Sequence, residues 1–180
     1  RWRFCVLPPS SGLSVDSRFG VATHLDRLSP ERIGKSLDLI ALARIPYVRC
    51  GFLWRDIEKE RGRDSWERHD ALVKAATERG IRVLPTLAMA PAWASGKNRP
   101  ELDGWKRFVG AAVARYRSEI TWWEVWNEEN APNYWPYGNS NFYLFLQAAR
   151  EASRQANPDA KLILGGLSPD VKTPEGGDAA

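Results

Sequence analysis

Between residues 123 and 130 the chain reads WEVWNEEN, which gathers Trp123, Glu124, Trp126, Asn127, Glu128, Glu129 and Asn130 into one stretch. A buried strand ordinarily carries Val, Ile or Leu, and a solvated loop has no need of tryptophan. Carboxylic acids beside indoles point to acid–base work. A carboxyl group partly withdrawn from water is harder to ionise, so it can hold a proton near neutral pH and deliver it. Glu128 suits that part, and the Asn127 amide beside it suits the orientation of a substrate hydroxyl. Protonating the leaving oxygen of a glycosidic bond is one reaction that needs such a pair. A lone glutamate at a strand end also serves as a surface residue or an ion-pair partner, and spacing by itself leaves both readings open.

Some element must hold these groups in place, and the rest of the chain shows which. FGVAT (19–23), YVRCGF (47–52), IRVLPTL (81–87), TWWEVWN (121–127) and KLILGG (161–166) read as five strands. Helical spacing falls between them. Ser29 and Pro30 open the first helix as N-cap and first-turn proline, with Ile33, Leu37, Ile40, Ala41 and Arg44 at helical spacing. Leu72, Val73 and Ala76 mark the second helix, which Gly80 stops. Asp103 is expected to cap a third helix carrying Trp105, Phe108, Val109, Ala112, Val113 and Tyr116. Phe142, Phe145, Leu146, Ala149 and Ala152 mark a fourth, ended by Pro158. Polar or irregular loops join these elements.

Alternating strands and helices predict an α/β fold with parallel strands. A nucleotide-binding open sheet would show a Gly-rich turn after its first strand, and here that strand runs into HLDRLSP. The chemically rich residues cluster instead at strand C-terminal ends, at His24, Arg49, the loop of Trp93, and Asn127–Glu128. Those ends form the active-site mouth of a (β/α)8 barrel. A whole barrel takes about 250 residues, so 180 residues with five strands predict an incomplete (β/α)8 TIM barrel, residues 1–180 forming one catalytic-barrel portion with no second domain. On strand alternation, Glu124, Trp126 and Glu128 share one face. The start at RWRFCVLPPS, without Met or a signal-like apolar run, and the Pro/Gly-rich end look cut.

Composition narrows the function. The net charge of +4 comes from 26 basic and 22 acidic residues that are interspersed, as in RDIEKERGRDSWERHD, so no basic stripe marks a nucleic-acid binder. No apolar run is long enough to span a membrane. Two cysteines, Cys5 and Cys50, with two histidines and no C-x-x-C pair, do not form a zinc-site pattern, and a Cys5–Cys50 bridge is neither required nor excluded. Nine tryptophans are the outlier. They serve either as core or as flat faces for sugar rings.

WEVWNEEN resembles the fourth-strand motif of the clan A glycoside hydrolases, in which Trp-Asn-Glu carries the acid/base. Residues 47–95, from YVRCGFLWRD to APAWAS, resemble the clan's second and third β/α units, and LILGGLSPD resembles its fifth strand. Families 39 and 5 are the nearest in pattern, and the likeness runs from Phe19 to Asp170. The resemblance implies Glu128 as acid/base and Asn127 as the binder of the hydroxyl next to the anomeric carbon. It implies Arg49 as support for the nucleophile carboxylate, His24 at the sugar subsite, Trp93 and Trp54 as stacking platforms for sugar rings, Trp126 as a further substrate-binding ring, and Trp135 and Tyr134, in the loop after the acid/base, beside the leaving group. Each has a plainer alternative: an ion pair for Arg49, a loop side chain for His24, packing for Trp54. One departure stands out. Many relatives have proline after the glutamate, where this chain has Glu129. A retaining mechanism also needs a second carboxylate about 5 Å away. In the clan it ends the seventh strand, which this chain does not reach; Glu175 and Asp178 carry no motif that would promote them.

The reading is therefore a retaining glycoside hydrolase for a β-linked oligo- or polysaccharide, inactive as these residues alone. It needs no metal and no organic cofactor, has carbohydrate as its partner rather than nucleic acid or membrane, and works outside the cytoplasm, as polysaccharide substrates require. A carbohydrate-binding barrel without catalysis and a nucleotide-dependent α/β protein are the alternatives. The first would lack the seventh-strand glutamate, and the second lacks a phosphate loop.

Overall fold

The computed structural model describes residues 19–97 and 99–169. One parallel sheet contains β1 (Gly20–Ala22), β2 (Tyr47–Leu53), β3 (Arg82–Ala88), β4 (Trp122–Val125) and β5 (Lys161–Leu164), each paired with the next in chain order. That order decides between the two architectures. A doubly wound sheet reverses at a switch point, whereas strands that follow one another in chain order are the staves of a barrel. Five staves make an incomplete one.

The helices are α1 (Pro30–Leu42), α2 (Trp54–Ile57), α3 (Glu67–Thr77), α4 (Leu102–Arg115) and α5 (Asn139–Ala156). Ser29 caps α1 as expected, its hydroxyl accepting the Arg32 N–H at 3.5 Å, with Pro30 in the first turn. Past α3, Gly80 takes φ +69°, a conformation open to glycine and strained for other residues. Two local expectations change. The loop after β2 holds the short helix α2, because Trp54 is buried there and its indole N–H donates to Glu58 Oε2 at 2.7 Å. Helix α4 starts at Leu102 with Glu101 in the cap position, so Asp103 does not cap it. Asp103 lies in the first turn, where its charge still favours the helix dipole.

Strand register sets what faces where. Val48, Cys50 and Phe52 pair with Val83, Pro85 and Leu87, and their side chains pack outward toward the helices. Arg49, Gly51 and Leu53 alternate to the inner face, opposite Leu84, Thr86 and Ala88. Thr86 in turn pairs with Glu124, so Arg49, Thr86 and Glu124 all point into the barrel. Trp123 and Val125 take the outer side, where the core lies.

Most of the aromatic material is core. Trp105 stacks on Phe145 at 4.3 Å, and its indole N–H reaches the Phe145 carbonyl at 3.1 Å, which ties α4 to α5. Trp54, Trp66, Trp123, Trp126 and Trp135 are buried as well. The compositional excess of tryptophan thus serves packing between sheet and helices, where each large ring removes much apolar surface from water.

Candidate active site

The centre of the mouth is a charge network built by the register just described. Glu124 is buried and its carboxylate accepts four hydrogen bonds. They come from Arg49 Nε at 2.6 Å, Arg49 Nη2 at 3.0 Å, Thr86 Oγ1 at 2.6 Å and the Gly166 N–H at 3.2 Å. A carboxylate so surrounded is held in one orientation. Arg49 Nη2 also donates to Asn127 Oδ1 at 2.7 Å. A guanidinium has only donors, so it fixes the amide of Asn127 with oxygen inward, and the NH2 remains for a ligand.

Strand β4 stops at Val125, and the backbone then bends sharply. Trp126 has φ +67° and Glu128 has φ +53°, conformations that L-residues with a Cβ adopt at a cost. Neighbouring backbone holds the bend. The Trp126 N–H donates to the Leu87 carbonyl at 2.8 Å, the Glu128 N–H to Gly166 at 2.9 Å, and the Glu128 carbonyl accepts from Ala131 at 2.8 Å. Gly165 must be glycine here, since a Cβ on it would sit 2.6 Å from the Trp126 carbonyl oxygen. The bend overturns the expected shared face of Glu124, Trp126 and Glu128. Trp126 turns outward against Trp105, Trp135 and Phe145.

Above the network lies a cavity of about 340 Å³, lined among others by His24, Arg49, Asn127 and Tyr134. These four expected residues come together, with half-buried Glu128 next to Asn127 in the chain. The expected aromatic platforms do not. Trp54 is wholly buried, with no face open to a sugar. Trp126 and Trp135 are enclosed between the loop and α5; their indole N–H groups donate to the Tyr134 and Gly138 carbonyls. Trp93, partly exposed, is edge-on to Trp54 with Arg61 and Arg107 over its ring, and its N–H donates to the Glu58 carbonyl at 3.0 Å. It closes a structural knot with buried Glu58 and Arg107 rather than lining the cavity.

The desolvated acid expected at 128 is found one residue on. Glu129 is buried at 7 % exposure, and neither carboxylate oxygen has a hydrogen-bond partner among the described residues. Burial raises its pKa above the usual carboxylate range, with the charge of Glu124 acting in the same sense. The indoles meant to wall Glu128 face α4 and α5 instead. The sequence reading missed Glu124 and Thr86 as holders of Arg49. Alternation had put Glu124 inward, but nothing in VLPTL singles out the Thr86 hydroxyl.

Cys50 is buried on β2, and burial pushes its thiol pKa up. Cys5, Glu175 and Asp178 lie outside the described residues. Among the described residues no three His, Cys, Asp or Glu side chains are grouped to hold a metal ion, and no helix is long and apolar enough to cross a membrane.

Comparison with known proteins agrees with this geometry. The model of glycosyl hydrolase family 10 matches residues 49–168, from the Arg49 strand through the turn after β5. A curated endo-1,4-beta-xylanase 1 from Gibberella zeae is 28% identical over 121 residues, covering 61% of this chain and 34% of its own length. A family 39 glycoside hydrolase from Bacteroides cellulosilyticus WH2 superposes with TM-score 0.69 at 25% identity, over 82% of this chain and 31% of its own. An exo-beta-1,4-mannosidase from an Opitutaceae bacterium, strain TAV5, shares the fold with TM-score 0.70 at 19% identity, over 82% of this chain and 31% of its own. The chain thus spans about a third of the length of the proteins it matches. The clan A resemblance holds. The family model that matches is that of family 10, while the pattern had pointed to families 39 and 5.

Proposed function

This chain belongs to glycosyl hydrolase family 10, and from that membership we propose that it carries the proton-donating side of a retaining O-glycosidase acting on a β-linked oligo- or polysaccharide. The relative named as an endo-1,4-beta-xylanase favours a β-1,4-linked backbone as the substrate, and a polysaccharide substrate puts the place of work outside the cytoplasm. Glu128 is the acid/base. In the first step a carboxylate nucleophile bonds to the anomeric carbon, the glycosidic C–O bond breaks, and Glu128 gives its proton to the leaving oxygen. In the second, water attacks the same carbon, Glu128 takes the water proton, and the ester to the nucleophile breaks. The nucleophile belongs to the remainder of a complete barrel, and Arg49 faces the space it would enter. His24 and Tyr134 line the cavity in which the sugar would sit.

The observation that carries this reading is the double engagement of Arg49. By holding Glu124 and Asn127 at once, it leaves the Asn127 NH2 for the cavity, one residue before Glu128 in the chain. The test is Glu128→Gln in the complete enzyme, assayed on aryl β-glycosides. With a poor leaving group, kcat/KM is expected to fall by about 10²–10⁴-fold; with a strongly acidic phenol it should fall far less, and azide should restore turnover. An equal loss on both substrates, or none, sinks the assignment. The 180 residues by themselves are expected to turn over neither substrate, and measurable turnover would mean they hold their own nucleophile.

A further inference from the structure

The turn that carries Glu128 is fastened to the end of β5. The Glu128 N–H donates to the Gly166 carbonyl at 2.9 Å. Two residues on, Asn130 makes a two-way pair with the Ser168 backbone, donating to its carbonyl and accepting its N–H, both at 2.9 Å. Between these bonds two oxygens converge over Gly165. A Cβ there would lie 2.6 Å from the Trp126 carbonyl oxygen and 2.9 Å from Glu129 Oε2, so only a bare Cα leaves room for both.

Both oxygens are short of a donor. Trp126 is buried, and among the described residues none donates to its carbonyl. The Glu129 side chain is buried too, with no donor in hydrogen-bonding geometry at either oxygen. As an anion it would face a carbonyl oxygen in a dry place, at the full cost of desolvation. With a proton it becomes the donor that the carbonyl lacks, and both groups are satisfied at once. The surroundings favour the proton. Burial raises the pKa of Glu129 and the charge of Glu124 adds to it, while the opposing pull of the Glu129 backbone N–H is smaller than the effect of burial. Arg49 is committed to Glu124 and Asn127. Gly165 and Gly166 bring no charge from the end of β5, residues 131–138 contain no Asp, Glu, Lys, Arg or His, and the preceding residue, Glu128, is itself an acid.

We propose that Glu129 is a positioning residue for Glu128: held as the neutral acid, it donates a hydrogen bond to the Trp126 carbonyl across Gly165 and so locks the turn that carries Glu128. The bond runs from residue 129 back to residue 126 and closes a ring around Asn127 and Glu128. Trp126 and Glu128 both have left-handed backbone, at φ +67° and +53°, which persists only where the surroundings enforce it. The proposal rests on the reading of Glu128 as the acid/base.

The test uses the complete enzyme and aryl β-glycosides. Glu129→Leu keeps an apolar side chain in the dry site and removes the donor. With a poor leaving group, its kcat/KM should fall by about 10–100-fold, because an acid held out of line protonates slowly. With a strongly acidic phenol the fall should be far smaller, since little proton transfer is needed. Glu129→Gln, whose amide can donate the same bond, should recover most of the loss. A Leu variant as active as the parent, an equal loss on both substrates, or a Gln variant as impaired as Leu overturns the proposal. An infrared comparison does not depend on the folding of the Leu variant. At about pH 6, where an ordinary carboxyl group is ionised, Glu128→Gln should still show the carbonyl band of a protonated acid that disappears when Glu129→Gln is added. Absence of that band means Glu129 is an anion and overturns the proposal, leaving the acid/base reading intact. If Glu128→Gln itself spares the poor leaving group, the acid/base lies elsewhere and both readings fall.

Discussion

The segment after β4 faces two ways. Toward the mouth, Asn127 meets Arg49, which is locked on Glu124 in a setting of charges and short hydrogen bonds. Away from it, Trp126 and Trp135 lie edge-on to each other at 5.0 Å and pack against Phe145 of α5. One short stretch thus supplies a polar, partly exposed face and a dry aromatic one. Rings that look like ligand platforms in the sequence are the frame, and small polar groups line the cavity. The division is physically economical. An aromatic wedge gains most when wholly dry, whereas an amide or a carboxylate must keep a path to its ligand.

Breaking the frame should produce the largest effect on stability. Trp105 is fully buried between Trp54, Phe108, Trp126 and Phe145. Trp105→Ala is expected to cost about 3–5 kcal/mol in a denaturant melt. A loss below about 1 kcal/mol would mean the aromatic side is not the frame. Next comes the polar side. Arg49→Met leaves Glu124 with Thr86 and Gly166 alone, and frees the Asn127 amide to rotate. Because Arg49 is itself about one-third exposed, the stability cost should be nearer about 2 kcal/mol. Binding of a methyl β-glycoside, read by titration, should fall further than stability does. If it does not, the clamp is only structural.

Two smaller effects sharpen the comparison through pH. Glu129 has a folded-state pKa raised by burial, so its contribution is present below the ordinary carboxylate pKa. It is lost as pH rises through the raised value. Urea melts of Glu129→Gln from pH 4 to 7 should therefore show a flatter dependence than the parent, with the variant gaining relative stability toward pH 7. His69 has the opposite sign. Its folded-state pKa is lowered, so stability is present above the ordinary histidine pKa and is lost as pH falls through the lowered one. His69→Leu should remove that acid-side loss, and an unchanged slope between pH 7 and 5 would place the ring in a wetter setting than its burial implies.

Much of the scaffold is legible in the residue pattern. Ser29-Pro30 starts α1, Gly80 follows α3, and Pro158 follows α5, because caps and breakers act through their own local backbone. The strands were found within a few residues of their bounds for a similar reason, namely runs of Val, Ile and Leu bounded by turns. Asp103 misled because Glu101 and Leu102 offered an earlier start. Trp54 misled because its burial depends on Glu58, four residues on, and on Trp105 and Phe108, far off in sequence. In the site, Asn127, Arg49 and His24 could be named from position at strand ends, whereas Thr86 emerges only once β3 lies beside β4.

The order of β/α units, the strand-end placement of polar residues and the Trp-Asn-Glu motif are properties of the chain read alone, since period, turn chemistry and residue type are local. Which side chains share the mouth was decided by tertiary structure. Left-handed backbone at Trp126 and Glu128 ends the strand's alternation, so faces inferred from period 2 do not carry past Val125. Register then brings together Arg49, Thr86 and Glu124 from three strands, a meeting that no window of sequence contains, because hydrogen bonds between strands, not neighbours in the chain, set it.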